Sequence, residues 1–394
     1  MKVHLAKTIY EGAITAPPSK SFSHRYLVTG ALSESSRISH VGDSIDISST
    51  LDCLSAFGCS YTKRGNSVLF GPIKQGNPVF PCGESGTTLR FFVPLAATKF
   101  PEAHFLGSKR LISRGIAAYQ ESLNCLSFEI KEEEIISHGM LVPGKYRMSG
   151  RQSSQFFSGL ILALPLLDGD SELEVVGPFA SEPYVRMTLQ AMDAFGVHLQ
   201  RTDSTFYIPG NQKYQGVSAT VEGDFSNSAF LDAMNYLGGD VRISGLRASS
   251  SQGDKAYRKI FPVLAEETTA VNIANCIDLG PVLFVFAALH HGAVFTGISR
   301  LSDHEGNRAA MLSEELRKAG VAVSTGRDYI GIGRYDGIEH LDFDCHHDHR
   351  IAMALSLFST QTDISIKGVE CVSKSFPDYW KTLEVLGAKI IYEE

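Results

Sequence analysis

Long apolar runs are missing from this 394-residue chain: no stretch of eighteen apolar residues occurs, so nothing in it reads as a membrane-spanning helix. The longest candidate, around Val282–Leu289, is too short. A basic-then-apolar secretory pattern is also lacking near the first residue. Cysteine is sparse, with seven residues (Cys53, Cys59, Cys82, Cys125, Cys276, Cys345, Cys371) and no CxxC spacing. An odd, scattered set argues against a disulfide framework and a zinc site, and fits reduced thiols in a cytoplasm. Positive charge is outweighed, 36 Lys and Arg against 43 Asp and Glu, for a net charge of −7. That balance argues against a nucleic acid held by bulk electrostatics. Any anionic ligand must instead be captured by a local cluster of Arg and Lys. What is present is ordinary globular composition, in a chain too long for one hydrophobic core, so two domains are expected.

One pattern recurs: an amphipathic helix, a glycine at its end, then a short alternating strand. It reads LDCLSAFGCSYT around Gly58, LQAMDAFGVHLQ around Gly196, LSEELRKAGVAVST around Gly320 and WKTLEVLGAKIIYE around Gly387. Glycine supplies the left-handed cap that ends each helix. Weaker copies fall around Ser127 and Glu267. Six copies suggest six similar α/β units, three per domain. A fresh strand–turn–helix start after Val221, with Asp224 or Ser226 as cap, marks the expected boundary.

Seven segments carry polar chemistry. In PPSKSFSHR, Ser19 and Ser21 can cap a helix that bears Lys20, Ser21 and Arg25, where free N–H groups, a hydroxyl and two cations suit an anion. In CGESGTTLRFF, Gly86 lets backbone approach a ligand while Thr87 and Thr88 open an apolar helix. Ser153, Ser154 and Gln155 precede another apolar helix, and Ser181 precedes a helix with Pro183 in its first turn. Asp278 stands at the mouth of the apolar CIDLGPVLFVFAAL segment, as an N-cap or a base. Glu305 and Arg308 lie three apart at a helix start. In HHDHR the histidine spacing matches no HExxH metal motif; Asp348 as cap with Arg350 aimed at an anion is more economical. Lys374 precedes a proline-started helix. Capping alone explains each segment. Together, Lys20, Arg25, Arg114, Arg308, Arg350 and Lys374 all stand at or beside expected helix starts in an acidic chain. Such an arrangement binds multiply charged small anions.

The ordered motifs SKSFSHR, SGTTLR, SSQF, SEPY, IDLGP, HEGNR, DHRIAM and KSFPDY resemble the 5-enolpyruvylshikimate-3-phosphate synthase family from Lys20 to Tyr379. The resemblance implies an α/β fold of two similar domains, each of three βαβαββ units, an inside-out α/β barrel closing like a clamshell. It implies one discontinuous domain of residues 1–19 and 221–394, a second of 20–220, and a site in the cleft between them. It implies transfer of the enolpyruvyl group of phosphoenolpyruvate to shikimate 3-phosphate by a monomer, with no metal or organic cofactor. By this resemblance Lys20 serves both substrates. Ser21, Arg25, Ser153, Ser154, Gln155, Ser181 and Asp278 hold shikimate 3-phosphate. Gly86, Arg114, Gln155, Arg308, Arg350 and Lys374 hold phosphoenolpyruvate. Asp278 is similar to the family's proton acceptor and Glu305 to its proton donor.

Departures from the family pattern are Glu84 for Asn or Asp, Gly115 for Pro, His304 for Lys, and Gly306-Asn307 for Ser/Thr-Asp. They keep a rival open: a catalytically silent paralogue that only binds shikimate-type anions. The transferase acting on UDP-N-acetylglucosamine is a second rival. It expects Asn after the first Lys and a loop Cys; Ser21 follows Lys20, and His104 to Gly115 holds no Cys.

Overall fold

The computed structural model describes residues 1–302 and 307–393. The chain divides into two compact units, Met1–Pro17 with Gly223–Glu394, and Pro18–Glu222. Each has its own apolar core.

Five four-stranded sheets share one plan: a parallel pair, then two antiparallel strands. In the Pro18–Glu222 unit, for example, Val79–Gly83 runs parallel to Glu102–Gly107 in one sheet, and Lys145–Ser149 runs parallel to Ser171–Val176 in another. In the other unit Thr269–Asn272 pairs with Ala293–Thr296, and Leu341–Asp344 with Ile364–Lys367. Parallel neighbours need a crossover, and in these four pairs the crossover is a helix, whereas the fifth pair, Arg37–Ser39 with Ser218–Thr220, joins distant parts of the chain. These helices are Gly86–Ala96, Ser154–Ala163, Gly280–Leu289 and His349–Leu355. All four are largely buried because their sequences are apolar almost all round. Burying each Leu, Val or Phe contributes roughly 1.5–3 kcal/mol, so the crossover helices anchor both cores. In the discontinuous unit Phe286 stacks on Phe261 at 4.3 Å between centroids.

The glycine-ended helices appear as expected. Gly58, Gly196, Gly320 and Gly387 all take positive φ. Helix Ala117–Ser122 likewise leads to the edge strand Ser127–Ile130. The copy around Glu267 differs: Tyr257–Glu266 leads to Thr269–Asn272, the parallel outer strand of the next sheet. The sixth sheet is only the pair Asp240–Ser244 and Glu11–Thr15. Here the helix–strand rhythm holds, and the strand joins the next sheet; local sequence does not encode which strand a segment pairs with. The fold is mixed α/β, and no sheet closes into a barrel among the described residues.

Candidate active site

In all four crossovers the polar residues fall just beyond the first strand, where the crossover helix begins. This is where open α/β sheets present helix N-termini to ligands.

In the Pro18–Glu222 unit, Ser19 caps Lys20–Leu32 by accepting from Phe22 N. Lys20 Nζ reaches Asp46 Oδ2 at 2.8 Å, in the first turn of Ile45–Phe57. Helix Gly86–Ala96 is capped by Ser85, not by the expected threonines; Ser85 Oγ accepts from Thr88 N and Thr88 Oγ1. Gly86 meets Arg114 so closely that an added Cβ would lie 2.9 Å from Nη2. Ser153 caps Ser154–Ala163, and Gln155 Nε2 donates to Thr87 Oγ1 at 2.8 Å while Oε1 accepts from Arg90. The first turns of the 86–96 and 154–163 helices are thereby joined. Closer still, Gly159 packs on Arg90 O, where a Cβ would come to 2.2 Å.

Arg25 is buried, and its guanidinium donates to Thr188 Oγ1 at 2.8 Å, Ser21 O at 2.7 Å, Tyr184 O at 2.9 Å and Ser158 Oγ at 3.4 Å. Burial pushes its pKa down to about 9, which leaves it cationic at neutral pH. These bonds tie the Lys20–Leu32 helix to the 154–163 and 182–194 helices. Ser181 precedes Glu182–Ala194 with left-handed backbone (φ 57) and makes no side-chain cap bond, correcting the capping expectation. Arg114 ends the helix Lys109–Ser113 and stands two residues before the cap of Ala117–Ser122. Gly115 follows at φ 65, a value closed to proline, so this departure changes the local backbone.

In the discontinuous unit, Asp278 is not an N-cap. It lies in a turn before Gly280–Leu289, and Arg350 Nη2 meets its Oδ2 at 3.1 Å, Arg308 Nη1 its Oδ1 at 3.5 Å. Arg350 Nη1 also donates to Asp278 O at 3.1 Å. Arg308 Nε meets Asp348 Oδ2 at 2.8 Å, with that carboxylate fully buried. The other oxygen of Asp348 caps His349–Leu355 by accepting from Arg350 N and Ile351 N. One carboxylate therefore fixes both arginines, Arg308 by charge and Arg350 through its backbone. Lys374 ends a helical turn, Val369–Lys374, and precedes the helix Tyr379–Val385, with Pro377 just before that helix's cap; next to it Ser375 Oγ accepts from buried Asn227 Nδ2 at 3.1 Å. Asn307 has left-handed backbone (φ 67) and caps Arg308–Lys318 by accepting from Ala310 N, a role asparagine tolerates well. Glu305, with His304 and Gly306, lies outside the described residues.

The sequence reading missed Asp46, Arg90, and the pairing of Asp348 with Arg308. Asp46, in a capped first turn, could have been suspected; Arg90, mid-helix among phenylalanines, reads locally as a buried oddity. Among the described residues Glu314, Glu315 and His346 have the spacing of metal ligands, yet Lys318 Nζ already lies 2.7 Å from Glu315 Oε1.

This is the architecture of the enolpyruvyl transferases. The chain superposes on EPSP synthase from Acinetobacter baumannii with a TM-score of 0.80 at 20% identity, over 99% of this chain and 100% of that one. It also matches the enolpyruvyl transferase NikO from Streptomyces tendae, TM-score 0.76 at 13% identity, over 99% and 98%. The family model of EPSP synthase (3-phosphoshikimate 1-carboxyvinyltransferase) matches residues 6–383, so the chain belongs to the EPSP synthase family. Relatives named 3-phosphoshikimate 1-carboxyvinyltransferase include those of Clostridium kluyveri, 35% identical over 98% of both chains, and Clostridium perfringens, 32% identical over 100% of both.

Proposed function

We propose that this chain transfers the enolpyruvyl group of phosphoenolpyruvate to the 5-hydroxyl of shikimate 3-phosphate, releasing phosphate. The step belongs to aromatic amino-acid biosynthesis. Family membership supports the reaction, and the observation that carries the site is the Asp278 carboxylate set between Arg308 and Arg350. Both substrates carry phosphate and carboxylate, which planar guanidinium groups bind bidentately. In this reading Arg114, Arg308, Arg350 and Lys374, with Gly86 and Gln155, take phosphoenolpyruvate. Ser21, Arg25, Ser153, Ser154, Gln155 and Ser181 take shikimate 3-phosphate, and Lys20 serves both.

Asp278 accepts the proton of the 5-hydroxyl as its oxygen attacks C2 of phosphoenolpyruvate, while Glu305 delivers a proton to C3. The tetrahedral adduct then loses phosphate as C3 returns its proton, leaving an enol ether. Arg350 and Arg308 orient Asp278 until substrate anions compete for their N–H groups. The reading also requires Lys20 and the cations around Asp278, which belong to different compact units, to act on one substrate pair. We further propose a monomeric cytoplasmic enzyme. In support, all seven cysteines are free thiols, and among the described residues no helix is long and apolar enough to cross a membrane.

Phosphate release from the two substrates is the test. Turnover that depends on shikimate 3-phosphate, and falls at least ~100-fold in Asp278→Ala, is expected of a lost general base. Wild-type release no faster than the variant's rejects the reading in favour of a silent paralogue.

A further inference from the structure

The helix Arg308–Lys318 touches the turn before Arg350 twice. At its first residue, Arg308 pairs with Asp348. Seven residues on, Glu315 does so again, and seven residues is close to two full helical turns, so both side chains leave the same face. Glu315 is fully buried, and His346 Nε2 lies 2.8 Å from its Oε1. Asp344 N donates to Oε2 at 2.9 Å, and Lys318 Nζ reaches Oε1 at 2.7 Å. The ammonium already neutralises this carboxylate and so argues against a metal there. Asp344 in turn accepts from His346 N at 2.7 Å and pairs with Lys367 at 3.0 Å.

Between these two contacts the chain is held in an unfavourable shape. His346 and His347 are consecutive left-handed residues, φ 52 and 55, and each non-glycine residue there costs about 1 kcal/mol or more. Asp348 follows at once and sets both arginines. Without outside support, the turn would relax toward right-handed backbone and carry Asp348 and Arg350 with it.

We propose that Glu315 and His346 form a latch that locks the 344–348 turn onto the 308–318 helix, making both positioning residues for Arg308 and Arg350. Neither touches Asp278; they act through the turn. The inference rests on reading the Arg308–Arg350–Asp278 cluster as a substrate site, so two readouts separate the claims.

Hydrogen exchange on the unliganded full chain reads the latch whether or not the chain turns over. In Glu315→Gln the amides of 345–350 are expected to exchange about tenfold faster, the population of an opening that costs about 1.4 kcal/mol less, while those of 352–355 keep wild-type rates. Steady-state kinetics read its consequence. KM for phosphoenolpyruvate should rise about tenfold while that for shikimate 3-phosphate stays within about twofold. Glu314→Gln, one residue away and exposed, should match wild type in both. A Gln at 346 offers an N–H the same number of bonds from Cα as Nε2, so His346→Gln should restore what His346→Leu loses. If Glu315→Gln does not fold, the two His346 variants decide. Unchanged exchange and unchanged KM in His346→Leu or Glu315→Gln overturn the latch, as does an equal rise in both KM values. Inactive wild type with fast exchange in the variant would sink the proposed reaction and leave the latch standing.

Discussion

His24 and His290 are imidazoles whose Nε2 is buried without a hydrogen-bond partner among the described residues. In the Lys20–Leu32 helix, His24 Nδ1 lies 2.7 Å from Thr50 Oγ1, which lies 2.8 Å from Thr88 Oγ1; Thr88 donates to Ser85. Followed back from Ser85, each hydroxyl accepts from the one before, so His24 supplies its Nδ1–H to Thr50, whose hydroxyl also faces Asp46 O at 3.3 Å. Burial, then the charges of Lys20 and Arg25, hold its pKa well below the usual imidazole range. His290, against Phe286, is pushed down to about 4 by burial and by His291. Both groups bind a proton more readily unfolded than folded. Their contribution is complete above the ordinary imidazole pKa of about 6.5 and is lost as pH falls below it. Melting temperature should therefore drop between pH 7 and pH 4.5, and less steeply in His24→Asn and His290→Gln. Wild-type and variant curves that stay parallel across that range would contradict this. The same residue scale explains what the sequence could not reveal at Asp278: a carboxylate before an apolar helix reads as a cap until Arg308 and Arg350, 30 and 72 positions away, are seen on it.

At the scale of elements, helix Ser154–Ala163 reaches helix Gly86–Ala96 because Gly159 lets it. A Cβ at 159 would meet Arg90 O at 2.2 Å and Tyr119 Oη at 2.4 Å, and neither the backbone carbonyl nor the buried ring can give way cheaply. Gly159→Ala is expected to cost about 1–3 kcal/mol by overpacking, and to draw Gln155 away from Thr87 and Arg90. Urea unfolding and KM for both substrates check it; wild-type stability with wild-type KM would refute the close approach. The elements themselves were largely legible. Glycine-ended helices, the Ser19 and Ser153 caps and the Asp348 cap follow from short-range rules that act within one turn. The short helical pieces that Arg114 and Lys374 end went unseen because so short a helix carries too few periodic residues to mark it. Asn307 was read only as a departure, whereas its left-handed cap starts the helix that carries Arg308. Glu315 was not singled out at all, because a glutamate three residues before a lysine on a helix is an ordinary sequence feature and its partners His346 and Asp344 lie about thirty positions away.

For the whole molecule, one repeated strand–helix plan supplies the cations from many sequence positions. Lys20 and Arg114 belong to one compact unit and Arg308, Arg350 and Lys374 to the other. The proposed chemistry needs them to neutralise the same two metabolites, and substrate-driven closure is the ordinary way to assemble such a site and exclude water. Small-angle scattering during titration with phosphoenolpyruvate and shikimate 3-phosphate tests that requirement most directly. The radius of gyration should fall when both ligands are present, and Lys20→Ala should need more of each ligand to reach the same endpoint. A radius that never changes at saturating concentrations of both, or a Lys20→Ala variant weakened toward only one of them, would contradict a shared substrate pair.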